Sequence, residues 1–252
     1  MTEQADRLAA EYLETGTLSG LPRDHFIDGR WVAPLSGGMM ETFDPGLGRA
    51  YHDFAAGDAD DIDAAVNAAL RAGRGWGRTR PAARGSMLAR AAALIREDAP
   101  RLAVIESLDS GKPLAEAEGD IAGAARTFEY YAAAANTMQG DSFPLGHDYL
   151  GYSIIEPVGV TAHIIPWNYP LSTAARGIAP ALAAGCTVIA KPAEQTPMTA
   201  LLLAELLHRA GLPAGVCNVV TGTGGQAGAP LVRHPAVRHV SFTGSVTTGI
   251  NV

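Results

Sequence analysis

Residues 158–191, VGVTAHIIPWNYPLSTAARGIAPALAAGCTVIAK, decide the fold. Residues 158–165 read as a strand, and Pro166 and Pro170 bracket the loop that follows. A helical stretch at 171–184 then leads into a second strand at 187–190. Moving outward, the same rhythm continues with a helix at 198–210, a strand at 216–220, a helix at 225–232 and a strand at 237–242. The first turn of another helix runs to Val252. Strict strand–helix alternation with short loops is the pattern of a parallel sheet with helices on its faces. In such sheets ligands bind at the carboxyl ends of the strands. Four polar or glycine-rich loops are therefore expected along one edge, beginning at Pro166, Lys191, Thr221 and Thr243.

Upstream, His25, Phe26 and Ile27, an Asp28-Gly29 turn, and Arg30, Trp31 and Val32 give the two-residue hairpin signal. Pro45-Gly46 marks another turn before a strand at 51–54. Helices follow. Asp58 caps one with Ile62, Ala65, Val66, Ala69 and Leu70 on a single face. Pro81 opens the next, with Leu88, Ala91, Ala92 and Ile95 inward, and a third spans about 114–138. Residues 141–156 read as a strand pair that protrudes.

The 252 residues are 47% apolar, enough to bury a full core, and only 18% charged. Net charge is −7, with −9 in residues 1–150 and +2 in the remainder, and there are no basic runs. That balance argues against nucleic acid and anionic membrane as partners. Two cysteines, Cys186 and Cys217, have neither disulfide-framework nor metal-ligand spacing, so no metal is expected. Both open predicted strands at the end away from the loops, where burial is the expected role. Glu3 and Asp6 stand where a secretory signal would be basic, so the default location is cytoplasmic.

The loops carry the chemistry. Gly222-Thr223-Gly224-Gly225-Gln226-Ala227 fits the relaxed glycine fingerprint for a pyrophosphate at a helix start, and fits a tight turn equally well. Thr243-Gly244-Ser245 offers hydroxyls and amides for phosphate oxygens, or a plain helix cap. Lys191 and Glu194, three residues apart at a strand end, suit the hydroxyls of an adenosine ribose; the alternative is a surface ion pair. Asn168 sits in a rigid aromatic loop as an amide donor to an oxyanion, or as a turn residue. His163, within a strand, is expected to be packed.

Together, Pro166-Trp167-Asn168-Tyr169-Pro170, Lys191-Pro192-Ala193-Glu194-Gln195-Thr196-Pro197 and Phe242-Thr243-Gly244-Ser245 resemble the aldehyde dehydrogenase superfamily in order and spacing. Phe26-Ile27-Asp28-Gly29-Arg30-Trp31 and Leu108-Asp109-Ser110-Gly111-Lys112-Pro113 extend the resemblance over residues 24–252. It implies a Rossmann-like, doubly wound α/β fold with an N-terminal hairpin and helical segment. Residues 1–138 and 158–252 would form the NAD(P)-binding domain, and 139–157 an oligomerisation arm serving a homodimer or homotetramer. By resemblance Ile164, Ile165, Pro166 and Trp167 line the cofactor cleft, while Lys191 and Glu194 hold the ribose. Gly224 and Gly228 approach the adenine side, and Phe242, Thr243, Gly244 and Ser245 the pyrophosphate. Asn168 donates to the oxygen of the thiohemiacetal. The implied reaction is oxidation of a small-molecule aldehyde to its acid with NAD, or NADP, as acceptor. In the family a cysteine thiolate attacks and a glutamate activates water. Both lie beyond the Phe-Thr-Gly-Ser motif, so the chain is expected to lack the catalytic domain and to be inactive alone. The competing expectation is a non-catalytic dinucleotide-binding or interaction module.

Overall fold

The computed structural model describes residues 3–252. Helix α1 (Glu3–Thr15) precedes the hairpin of β1 (His25–Ile27) and β2 (Arg30–Val32). Asp28 and Gly29 both adopt positive φ (54° and 74°), which a two-residue turn needs to match the strand twist. A second hairpin, β3 (Met39–Asp44) and β4 (Arg49–Ala55), forms its own two-stranded sheet. Four helices follow: α2 (Ala59–Trp76), α3 (Pro81–Glu97), α4 (Ala99–Ser110) and α5 (Leu114–Ala134). An exposed ribbon of β5 (Ser142–Pro144) and β6 (Leu150–Tyr152) leads to β7 (Val160–Ile164), α6 (Pro170–Ala183), β8 (Thr187–Lys191) and α7 (Met198–Arg209). The chain closes with β9 (Cys217–Val219), α8 (Ala229–Arg233), β10 (Val237–Phe242) and α9 (Val246–Asn251).

The main sheet has the order β10-β7-β8-β9-β1-β2. Its first four strands are parallel, and β1 joins β9 antiparallel, so the sheet is mixed. The chain steps outward from β7 to β8 to β9 and then returns to place β10 on the other side of β7. That reversal makes the carboxyl ends of β7 and β10 a topological switch point, where a crevice opens between diverging loops. Both faces of the sheet are covered. Val188 and Ala190 of β8 point into a core with Leu171, Ile178, Leu201 and Phe128. Ile189 between them points into a second core with Ile62, Ala65, Val66 and Leu231, the period-2 consequence of the pleat. The expected doubly wound α/β fold with an N-terminal hairpin is the one observed.

Local chemistry explains most boundaries. Asp58 caps α2 in a reciprocal capping box with Asp61, and Pro81 occupies the first turn of α3. Leu88, Ala91, Ala92 and Ile95 are buried as their spacing requires. Leu70 is not: it is 44% exposed, because Ile62, Val66 and Ala69 already fill the seam and the next residue rotates away from it. The helix expected at 225–232 begins instead as a wide π-type turn, Gly224–Gly228, capped by Thr223. Helices α1 and α4 have no counterpart in the sequence reading. The buried face of α4 includes Glu106 and Asp109, which break the apolar period that would have revealed it.

Candidate active-site cleft

The residues after β7 (Ile164, Ile165, Pro166, Trp167, Asn168), after β8 (Lys191, Glu194) and after β10 (Phe242, Thr243, Gly244, Ser245) line one cleft of about 420 Å³. It sits at the switch point. Register explains the convergence: Ile164 pairs with Lys191 on one side and with Phe242 on the other. Three strand ends are thereby level, and the loops leave the sheet together.

Lys191 is 3% exposed, and its Nζ lies 3.1 Å from Glu194 Oε2. This is no surface pair: burial pulls the ammonium below the ordinary lysine range, and Glu194 opposes that shift. The carboxylate stands half-exposed at the rim, with the cation in the wall. Asn168 is exposed in the cleft, and no hydrogen bond is formed by its amide among the described residues. It precedes α6, whose first turn holds Pro170. Ser245 caps α9, its Oγ accepting from the Thr248 amide at 3.2 Å. Gly244 leaves room for the Phe242 ring, since a Cβ there would lie 2.5 Å from its Cζ.

The glycine loop stands apart from that lining. Gly222 adopts φ +144° and meets Gly57 so closely that a Cβ would fall 2.6 Å from the Gly57 carbonyl. Its service is therefore close backbone packing, and the tight-turn alternative describes it. Gly224 is open on its outer side, with nothing within 4 Å of where a Cβ would stand. A Cβ on Gly228 would touch the Lys191 stem at 3.9 Å, so Gly228 borders the same lysine from behind.

Behind the cleft lies a buried polar layer that the spacing of residues did not single out. Glu106 has no exposed surface. It accepts from Lys112 Nζ (3.2 Å), Thr199 Oγ1 (2.9 Å) and the Leu171 amide (3.3 Å). Lys112 also reaches Asp120 (2.6 Å) and stands 4.7 Å above the Tyr169 ring. Asp109 accepts from Thr42 Oγ1 (2.7 Å), Tyr51 Oη (2.8 Å) and the Met198 amide (3.1 Å). Burial raises its carboxyl to about 7. The only sequence signal for this layer is the Leu108–Pro113 part of the family resemblance. Helix periodicity conceals it, because apart from Lys112 the acids' partners come from distant elements.

The remaining candidates are buried within the sheet. Cys186 and Cys217 are buried and unpaired at the starts of β8 and β9, and burial pushes the Cys217 thiol up to about 12. His163 is buried, and burial holds it near 4, hence neutral. Thr161 Oγ1 donates to the Thr187 carbonyl and so accepts from His163 Nε2. Among the described residues no helix is long and apolar enough to cross a membrane.

Fold and crevice together define an α/β protein of the doubly wound, crevice-binding class. The chain belongs to the aldehyde dehydrogenase family, whose model matches residues 31–252. It is 46% identical over 236 residues to hydroxyisobutyraldehyde dehydrogenase of Mycolicibacterium austroafricanum, covering 94% of this chain and 47% of that protein. A crystal structure of a putative aldehyde dehydrogenase from Burkholderia cenocepacia superposes with TM-score 0.89 at 45% identity, over 90% of this chain and 48% of that one. A point variant of betaine aldehyde dehydrogenase from Staphylococcus aureus in complex with NAD+ gives TM-score 0.89 at 35% identity, over 92% and 48% respectively. The chain thus spans about half the length of the relatives it matches.

Proposed function

We propose that this chain supplies the NAD site and the carbonyl-oxygen donor of an NAD-dependent aldehyde oxidation. One observation carries the reading: the β7, β8 and β10 loops line a single cleft at the switch point, with a buried lysine and a carboxylate in its wall. The residues fit a dinucleotide. Lys191 and Glu194 suit the two hydroxyls of the adenosine ribose, and the carboxylate repels a 2′-phosphate, which favours NAD over NADP. Phe242, Thr243, Gly244 and Ser245 suit the pyrophosphate. Gly224, open to solvent, and Gly228, against the Lys191 stem, leave space on the adenine side. Ile164, Ile165, Pro166 and Trp167 give the cleft its apolar wall.

NAD, when bound, accepts the hydride that leaves the aldehyde carbon. Asn168 donates its unpaired amide to the aldehyde oxygen as negative charge gathers there, a contribution of about 100-fold or more in rate. Neither thiol of the chain suits attack on that carbon. Both are buried at the starts of β8 and β9, away from the carboxyl ends of the strands where the cleft opens. We therefore read the chain by itself as unable to turn over an aldehyde, as a purely dinucleotide-binding module would be. Residues 1–138 and 158–252 act as one cofactor-binding unit. The ribbon at 139–157, with Phe143, Tyr149, Leu150 and Tyr152 exposed, serves as the arm of a homodimer or homotetramer in the cytoplasm.

The test is calorimetric titration of the chain with NAD and NADP. NAD should bind more tightly, Lys191→Ala should weaken both at least tenfold, and Glu194→Gln should narrow the difference. Absence of NAD binding by the folded chain would refute the reading.

A further inference from the structure

A cleft of about 410 Å³ opens at the amino ends of β7 and β8, the end of the sheet opposite the loops around Asn168. Val160 and Thr187 are register partners there, and the pleat turns Thr187 to the same face as Ile189, toward α2. The Thr187 hydroxyl is buried and has no hydrogen-bond partner. A buried hydroxyl left unpaired is costly, so a ligand atom that completes it is favoured. Gly73 of α2 leaves that hydroxyl uncovered: a Cβ there would stand 3.6 Å from Thr187 Cγ2 and 3.8 Å from Oγ1. Leu70 and Arg74, one helical turn apart on α2, border the same space. Arg74 makes no ion pair or hydrogen bond among the described residues. No acidic residue lines the cleft, and Glu156 stands exposed outside it. On the other side runs the stem of Arg238, its Cγ 3.5 Å from where a Gly159 Cβ would be, and it too is unpaired among the described residues.

We propose that this cleft binds a small carboxylate with an apolar body, an aromatic or short aliphatic acid. The Arg74 guanidinium takes the carboxylate in a charge-assisted hydrogen bond, and the Thr187 hydroxyl donates to the same group. The apolar remainder lies against Ala69, Leu70, Pro157 and Val160. One lining guanidinium among apolar walls selects a monoanion over a phosphate, whose second charge would face those walls unpaired. The acid released by the proposed aldehyde oxidation belongs to this class, and that link alone rests on the reading given above.

The test titrates isotope-labelled chain with benzoate and with neutral benzyl alcohol, following the backbone amide resonances of Gly159, Gly185 and Thr187. Benzoate should shift them saturably, and benzyl alcohol should bind far more weakly. Arg74→Gln should weaken benzoate binding about tenfold, and Thr187→Val, which keeps the shape and removes the hydroxyl, about fivefold. Gly73→Ala favours the helix, so urea unfolding should show no loss of stability, yet its methyl stands over the hydroxyl and should also weaken binding. Circular dichroism of each variant confirms the fold. No saturable binding, equal binding of the alcohol, shifts confined to amides around Asn168, or binding unchanged by any of the three substitutions would overturn the inference. NAD titration of the same samples keeps the readings apart: NAD binding without benzoate binding refutes this inference alone, and the converse refutes the cofactor reading alone.

Discussion

Replacing Lys112 by Met removes the cation from the buried layer behind Asn168 and keeps the length of the side chain. Glu106, with no exposed surface, would retain the Thr199 hydroxyl and the Leu171 amide but lose its countercharge. Burial already raises its carboxyl above the ordinary range even with Lys112 opposing. Unpairing a buried charge costs about 3–5 kcal/mol. The carboxyl can escape part of that by taking up a proton, at about 1.4 kcal/mol for each pH unit above its unfolded-state value. That value is 4.5, so the loss is capped near 3 kcal/mol at pH 7 and falls below about 1 kcal/mol at pH 5. The sign follows from binding: the folded variant holds the proton longer than the unfolded chain, so its stability declines as pH rises through this window. Urea unfolding followed by tryptophan fluorescence at both pH values measures the difference. The Leu171 amide and the Tyr169 ring flank Pro170, so hydrogen exchange at Leu171 should also quicken. A loss below about 1 kcal/mol at pH 7, or one equal at both pH values, would refute the assignment of Lys112 as the countercharge.

In an enzyme containing both halves, Asn168→Ala should lower turnover about 100-fold with NAD affinity unchanged, checked by steady-state kinetics and calorimetry. Gly57→Ala would drive a Cβ to 2.6 Å from the Thr221 carbonyl, and denaturation should register at least about 1–3 kcal/mol of overpacking. His163, near 4 when folded against 6.5 unfolded, contributes stability above pH 6.5 that is lost as pH falls toward 4. Asp109, raised from 3.8 to about 7, works with the opposite sign, so the histidine slope should emerge in Asp109→Asn, and a flat profile there would contradict it. With Cys186 and Cys217 buried, purified chain and NAD should yield no NADH from any aldehyde; turnover abolished by Cys186→Ala or Cys217→Ala would show that thiol misplaced.

Residues 158–252 declare their elements locally. Apolar runs, Pro166, Pro170 and the loop residues fix each strand and helix through neighbours a few positions away, and the structure keeps nearly all of them. The hairpin is written in Asp28-Gly29 for the same reason: two positive-φ residues are a local requirement. The sequence also showed Lys191 and Glu194 at a strand end, but left open whether they form a surface pair. The burial of Lys191 depends on β7, β9 and the Gly224–Gly228 turn closing around β8, contacts that local spacing does not encode.

Helix α4 shows the other limit. Its buried acids look like solvent-facing residues until Thr42, Tyr51, Thr199, Lys112 and the amides of Leu171 and Met198 are brought around them. A charge can be buried only where donors gather, and those donors come from both strands of the β3–β4 hairpin, the loop holding Lys112, and helices α6 and α7. The kinds of element and the chemistry of the loops were set by short-range sequence. Which polar groups leave water, and which loops share a crevice, was set by contacts between residues far apart in the chain.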